Sequence, residues 1–211
     1  MEIQLNQVCP NVFEGIKMNS EVWNSNLLIE NEGRYQILAQ SGRGKTSFLY
    51  FLLGLRNDYT GEIQINQKRI QDIKEEEWVK LRKTKMTSIF QDLQLIGHLT
   101  VAENIRLIPE YAKGYDEDVI QKIVTNLGIK EKWNEKVNTL SFGQKQRVAI
   151  IRSICKPFEI LLCDEPFSHL DTENTRLCQS LILKRLDEEK ASLLITTLDG
   201  ESEMALKTIN L

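Results

Sequence analysis

The chain has 211 residues, 41% of them hydrophobic and 27% charged, which is ordinary for a globular protein. Its 27 basic and 30 acidic residues leave a formal net charge of −3, and without a strong basic field a nucleic-acid partner gains no support. No apolar run reaches the roughly 18 residues of a membrane span, and the first residues lack the basic and apolar regions of a signal peptide. We therefore expect a cytosolic protein built as one domain with an inserted lobe.

The four cysteines do not follow a metal-binding pattern. They stand at positions 9, 155, 163 and 178, without CxxC spacing and without accompanying histidines, which argues against a zinc site. Cys155 and Cys163 fall in apolar segments, so we expect them to be inert hydrophobic side chains.

Short alternating segments near the N-terminus predict strands. They lie at 3–5, 27–29, 35–37 and 63–65, and the turn residues between them favour antiparallel pairing. Farther along the chain the pattern predicts helices at 101–107, 116–127 and 141–155, a buried strand at 160–163, a helix over 171–189 and a strand over 193–197. Strands that alternate with helices at this spacing predict a parallel sheet with helices on its faces.

The first motif that carries chemistry is AQSGRGKT at 39–46, which matches the P-loop pattern except that Ala39 replaces its first glycine. Gly42 and Gly44 let the backbone curl so that its N–H groups point at a phosphate, and a helix then begins there with its positive end. Lys45 can reach the β- and γ-phosphates, and the hydroxyl of Thr46 can bind Mg²⁺. The alternative is that the motif is an ordinary glycine turn between a strand and a helix. Alanine fits position 39 only if its φ is negative.

A second motif is the apolar strand 160–163 followed by Asp164 and Glu165. Two carboxylates at the end of such a strand have the form of a Walker B segment, in which Asp164 holds Mg²⁺ and Glu165 orients or deprotonates the attacking water. A buried strand that ends in an acidic turn is the alternative. Together with the P-loop the motif gains weight, because both must flank one Mg²⁺ at the same sheet edge.

The third motif, LSFGQ at 140–144 followed by KQRVA at 145–149, resembles the signature of the ABC ATPase family, LSGGQ. Ser141 can cap the helix that begins there, and the free N–H groups of that helix can face an anion. A plain N-cap would explain Ser141 but not the neighbouring Gly143 and Gln144.

The resemblance covers essentially the whole chain and implies an α/β fold. We expect a single ABC ATP-binding domain over 1–211, with a P-loop NTPase core at about 1–91 and 156–211. An antiparallel β lobe and an inserted helical lobe at about 92–155 complete it.

The same resemblance assigns roles to particular residues. Gln91 looks like the Q-loop residue that links Mg²⁺ to the helical lobe, and 168–171 looks like the D-loop. Phe13 stands where the family has an aromatic that stacks on adenine, although a core position would explain it equally well. The catalytic residues implied are Glu165, Lys45 and Gln91, and the Mg²⁺ ligands are Thr46, Gln91 and Asp164. The implied ATP-binding residues are Phe13, Ala39, Gln40, Ser41, Gly42, Arg43, Gly44, Lys45, Thr46, Ser47, Ser141, Gly143, Gln144 and Asp171.

The function implied is ATP binding and hydrolysis at a homodimer interface, driving an integral membrane permease from the cytoplasmic face of the inner membrane. The compact ATPases of lipoprotein release, macrolide export or cell-division signalling look most similar. A slow ATP-dependent dimerisation switch and a cytosolic, non-transport ABC ATPase are the alternatives. Three departures bear on the rate of hydrolysis: Ala39, Phe142 in the signature, and Leu198 where the family has its switch histidine.

Overall fold

The computed structural model describes residues 1–107, 114–198 and 204–211. Asp199, next to the expected switch position, and residues 108–113 of the predicted helical lobe lie outside them. The strands are β1 Ile3–Pro10, β2 Asn26–Ile29, β3 Arg34–Leu38, β4 Tyr59–Ile65, β5 Lys68–Arg69, β6 Met86–Ile89, β7 Ile160–Asp164, β8 Ser192–Thr197 and β9 Lys207–Asn210. The α-helices are α1 Lys45–Leu52, α2 Glu75–Thr84, α3 Val101–Arg106, α4 Glu117–Asn126, α5 Phe142–Ile154 and α6 Thr172–Glu189.

The strands form two sheets within the described residues. One is antiparallel, in the order β2-β1-β4-β5, and the other is parallel, in the order β6-β7-β8-β3-β9. The predicted α/β class and antiparallel lobe are therefore confirmed.

The strand at 35–37 was wrongly predicted to pair antiparallel with its neighbours. Within β3, Tyr35 and Ile37 belong to the parallel sheet, between β8 and β9. The apparent alternation came from Gln36, which looks like a solvent-facing polar residue but is buried and donates a hydrogen bond to Thr208 Oγ1 at 2.6 Å. A strand buried on both faces is typical of the centre of a parallel sheet.

The parallel sheet separates two hydrophobic clusters, and β7 shows how. Its residues are all buried, but Ile160 and Leu162 pack with α1 and the antiparallel sheet, whereas Leu161 and Cys163 pack with α5 and α6. Alternate side chains of one apolar strand thus supply two cores. The carboxyl end of this rigid strand carries Asp164.

The predicted helices of the middle segment are confirmed as α3, α4 and α5, with ends shifted by one residue at most positions. Gly128 follows α4 with φ of 63°, as expected of a helix end. The C-terminal half of α5 packs directly on the sheet, since Ser153 Oγ donates to Ser88 O at 3.0 Å. The limits of a helical lobe at 92–155 remain a prediction.

Four elements were not predicted: α2, β5, β6 and β9. For α2 a signal was present, because three glutamates occupy its first turn and two basic residues its last, which suits the helix dipole. Among the described residues, no helix is both long and apolar enough to cross a bilayer.

Candidate functional site

The P-loop joins β3 to α1 and is shaped by its glycines. Gly44 has φ of 93° and precedes the first helical residue, Lys45. A Cβ on Gly44 would lie 3.0 Å from Phe13 Cε2 and 3.2 Å from Trp23 Cζ2, so both φ and space require glycine here. Ala39 is not among the residues with positive φ. The replacement of the first glycine therefore introduces no left-handed strain.

Trp23 supports the P-loop, a role that was not predicted from the sequence. Its side chain is 1% exposed, packs edge-on against Phe48 at 5.7 Å between ring centroids, and donates from Nε1 to Arg43 O at 3.1 Å. The indole thus holds the peptide that precedes Gly44.

Lys45 is buried and already has partners. Its Nζ donates to Ala39 O at 2.9 Å and forms an ion pair with Glu165 Oε1 at 3.1 Å. The two residues come from different motifs, more than a hundred positions apart in the chain, and the parallel sheet brings them together. The predicted convergence of the P-loop and the acidic strand end is thus present.

Asp164 is held by two hydroxyl groups. Its Oδ2 accepts a hydrogen bond from Thr46 Oγ1 at 2.6 Å, and its Oδ1 accepts one from Thr196 Oγ1 at 2.5 Å. Both Asp164 and Thr196 are almost fully buried. Thr196 was not predicted, because its role depends on the pairing of β7 with β8.

A cleft of about 400 Å³ opens beside these groups. Nine of the predicted site residues line it: Phe13, Ser41, Gly42, Gly44, Lys45, Thr46, Ser47, Gln91 and Glu165. Its wall also includes Pro10, Val12, Arg56 and Leu198. Phe13 is half-buried, and its ring both packs against the core and lines the cleft.

A larger cleft of about 690 Å³ adjoins the first one and shares Glu165 and Leu198 with it. It is lined mostly by residues 166–179 and 195–197, and it contains no P-loop residue. Of these two clefts, only the smaller one combines Lys45, Thr46 and Glu165, which makes it the candidate site.

The signature motif lies elsewhere. Ser141 caps α5 as predicted: its Oγ accepts from Gln144 N at 3.3 Å, and Gln144 Oε1 accepts from Ser141 N at 2.9 Å. A Cβ on Gly143 would lie 3.0 Å from His169 O, so the close approach of 168–171 favours glycine. None of these signature residues is among those lining the P-loop cleft.

Asp171 also lies away from the cleft lining and caps α6. Its Oδ1 accepts from Asn174 N at 2.8 Å, and this bond lowers the pKa of the carboxyl group. An ionised carboxylate at a helix start is favoured by the dipole.

Comparison with known proteins identifies the family. The sequence model of the family described as "ABC transporter" matches residues 22–168. The chain is 31% identical over 196 residues to the lipoprotein-releasing system ATP-binding protein LolD of Wigglesworthia glossinidia brevipalpis, covering 90% of this chain and 86% of that protein. The chain belongs to the ABC transporter ATP-binding family. It is also 32% identical to the macrolide export ATP-binding/permease protein MacB of Campylobacter jejuni, over 98% of this chain but 32% of MacB.

The fold of this ABC ATPase matches solved cassettes. It superposes with a TM-score of 0.75 on the dimeric post-hydrolysis structure of the ATP-binding cassette MJ0796 bound to ADP and Pi, with 27% identity, covering 93% of this chain and 88% of that one. The predicted family, its LolD- or MacB-like type and its fold are confirmed by these comparisons.

Glu165, the residue after Asp164 in this ABC ATPase, adopts a backbone conformation that is unusual for a residue other than glycine. Its φ is 47°, in the left-handed region, which costs a non-glycine residue on the order of 1–3 kcal/mol. Three hydrogen bonds hold its backbone: Glu165 N donates to Thr196 O at 3.2 Å, and Glu165 O accepts from Gln146 Nε2 and from Ser168 N, each at 3.4 Å. Gln146 Oε1 also accepts from His169 N at 3.2 Å. The buried Gln146 side chain therefore connects the signature helix, Glu165 and the segment at 168–171.

Phe142, the unusual residue of the ABC signature, lies against His169. The ring centroids are 4.3 Å apart, and 44% of Phe142 is exposed. The phenyl ring therefore fills space on the same chain and still presents an apolar surface to solvent.

The cysteines are buried, as expected for Cys155 and Cys163. Burial raises the pKa of the Cys155 and Cys178 thiols to about 12 and also raises that of Cys163. Thiols of this kind are poor nucleophiles at neutral pH. Within the described ranges, no three side chains from His, Cys, Asp and Glu group closely enough to hold a metal ion.

Proposed function

We infer that this ABC ATPase binds and hydrolyses ATP as the nucleotide-binding subunit of a transport system, as its family and relatives indicate. We further propose that the cleft beside α1 is the nucleotide site. The observation that carries this proposal is the convergence of Lys45, Thr46 and Glu165 on one cleft at the carboxyl edge of a parallel sheet, where ligands of α/β proteins bind.

In this proposal the P-loop binds the phosphates. The turn that contains Gly42 and Gly44 presents backbone N–H groups, and α1 begins at the same point with its positive end. Lys45 Nζ exchanges its Glu165 partner for the β- and γ-phosphates, and Ala39 O keeps the amine in place. Ser141 and Gly143 would bind the same nucleotide from a second copy.

The residues present also fit Mg²⁺. The Thr46 hydroxyl and the Asp164 carboxylate are 2.6 Å apart, and Gln91 lines the same cleft as Thr46. All three offer hard oxygen atoms, and Mg²⁺ usually completes such a set with water and substrate phosphates rather than with a protein cage. Bound there, the ion would neutralise phosphate charge.

Glu165 is the general base that we propose for hydrolysis. Once Lys45 turns to the phosphates, the Glu165 carboxylate is free to accept a proton from, or orient, the attacking water. The left-handed backbone at Glu165 and the Gln146 contact fix where that carboxylate points.

We propose that two copies assemble around ATP, because Ser141 and Phe142 of the signature are exposed and the signature lies outside the P-loop cleft of its own chain. Glu165→Gln should slow hydrolysis and so preserve the assembled state. Sedimentation with MgATP is expected to show a dimer of Glu165→Gln, and mostly monomer without nucleotide.

A second variant, Glu165→Gln combined with Ser141→Arg, controls for unspecific association. Arginine removes the cap and places bulk at the phosphate-facing helix end, so this variant should stay monomeric with MgATP. A monomer of Glu165→Gln at tens of micromolar, well within the range of transient affinities, would contradict the homodimer.

We also propose that the partner is an integral membrane permease and that the chain is held on the cytoplasmic face of the membrane by it. The support is the similarity to LolD and to MacB, whose name joins ATP-binding and permease parts. In cells, the chain is expected in the membrane fraction when the candidate permease is present and in the soluble fraction after deletion of that permease. A soluble chain in both strains would favour the cytosolic factor instead.

A further inference from the structure

Arg56 lines the same cleft, and nothing in the P-loop, acidic-strand or signature motifs accounts for it. It follows α1 by four positions, and its Nη1 donates to Ser47 Oγ at 2.9 Å. Nε donates to Asp58 Oδ1 at 2.8 Å, and Nη2 contacts Asp58 Oδ2. The guanidinium also lies 5.6 Å from the centroid of the Phe51 ring.

These contacts place Arg56 between two parts of the site. Ser47 follows Thr46 on α1, at the phosphate end of the cleft. Asp58 O accepts from Asn11 N at 3.0 Å, in the segment that carries Phe13. Arg56 is therefore anchored to the phosphate-binding helix through its Nη1 and to the Phe13 segment through its carboxylate partner.

Arg56 has N–H donors that its hydrogen bonds to Ser47 and Asp58 do not use. A guanidinium carries five N–H groups, and the three bonds to Ser47 and Asp58 use three of them, so two remain. The Ser47 oxygen accepts from Arg56, so the hydroxyl proton of Ser47 can be donated to another acceptor. Burial is partial, with 37% of the Arg56 side chain exposed, which leaves it accessible to a ligand in the cleft.

We propose that Arg56 is a nucleotide-binding residue that recognises the α-phosphate and ribose end, directly and through the Ser47 hydroxyl. This proposal rests on the proposed nucleotide site and assigns its two cations to different parts of the nucleotide. Lys45 binds the terminal phosphates, and Arg56 binds the α-phosphate and ribose end. A rigid, always charged fork suits a phosphate oxygen better than a flexible amine does.

Calorimetric titration of the full chain with ATP, ADP and AMP tests this division. Arg56→Met is expected to weaken the binding of ATP and of ADP by the same factor, about tenfold for a lost charge-assisted bond. Lys45→Met should weaken the binding of ATP much more than that of ADP. Arg56→Lys and Ser47→Ala should each fall between Arg56→Met and the wild type. Arg69→Met is the matched control, because Arg69 also pairs with a nearby aspartate, Asp72, at 2.8 Å but lies outside the cleft lining.

Asp58→Asn separates ligand binding from a merely structural role. It weakens the ion pair but keeps the positive charge of Arg56, so ATP affinity should be retained or increased. If Asp58→Asn loses affinity as Arg56→Met does, the pair only supports the fold and the proposal is overturned. Binding of ATP and ADP by Arg56→Met within a factor of two of wild type would overturn it as well. Failure of the wild type to bind any of the three nucleotides would reject the proposed site itself.

Discussion

Replacement of Lys45 by alanine is expected to abolish tight ATP binding while the chain stays folded. Within the P-loop, Lys45 is the only side chain that the structure shows beside both Ala39 O and Glu165, at 2.9 and 3.1 Å. Its loss removes the cation from the terminal phosphates and leaves Glu165 facing them without compensation. Two adverse changes thus act at the same phosphate oxygens, and affinity should fall on the order of 100-fold, about 2.7 kcal/mol.

The fold should tolerate this change because the ion pair borders the cleft. Glu165 is 12% exposed and can be reached by water once the amine is gone, so its charge is not stranded in the core. Lys45→Met, which keeps the apolar stem, should retain more stability than Lys45→Ala but bind ATP as poorly.

Isothermal titration of both variants with MgATP measures the loss, and thermal unfolding checks the fold. Lys68→Ala is a charge-matched control, since Lys68 of β5 pairs with Glu77 of α2 at 2.8 Å and lies outside the cleft lining. Retention of ATP affinity within a factor of about three in Lys45→Ala, under 1 kcal/mol, would mean that the site is misassigned.

The residues that the sequence located correctly are those whose role is local. Gly42 and Gly44 must turn the chain, Ser141 must cap a helix, and an apolar strand must precede Asp164; each requirement is visible within about eight positions. The convergence of Lys45 with Glu165 was also predictable, because carboxyl ends of parallel strands share one edge.

The residues that were not predicted from the sequence make contacts between segments that are far apart along the chain. Thr196 reaches Asp164 only because β8 pairs with β7 in a register that places them opposite each other. Trp23 bonds the P-loop and Arg56 bonds Ser47 on the helix that follows it, each from a separate segment, and no spacing rule connects them. The error at β3 has a related cause, since Gln36 is buried through a partner on β9 that lies far away in sequence.

Restoring histidine at position 198 is expected to increase the turnover number while leaving ATP affinity nearly unchanged. Phosphoryl transfer spreads negative charge over the γ-phosphate oxygens, and preorganised donors stabilise it. Leucine cannot donate a hydrogen bond, and loss of one such donor typically costs about 10²–10³ in rate, or roughly 3–4 kcal/mol. Without that donor, the wild type should hydrolyse ATP slowly. Hydrolysis should not be abolished, because Glu165, Lys45 and the signature helix remain.

The location of Leu198 in the fold suits this prediction. Leu198 is 51% exposed and lines the P-loop cleft with Lys45 and Glu165, so a side chain there can face the phosphates. The neighbouring hydroxyls do not replace a donor: Thr196 already donates to Asp164, and Thr197 lines the adjoining cleft rather than this one.

Steady-state ATPase rates of wild type, Leu198→His and Leu198→Met decide the question, with ATP affinities measured alongside. Leu198→His should turn over at least about tenfold faster, a conservative part of the 10²–10³ range. Leu198→Met changes shape without supplying a donor and should match wild type. An increase in both variants would indicate a packing effect. A wild type that already hydrolyses ATP as fast as Leu198→His would mean that another group supplies the contact to the γ-phosphate.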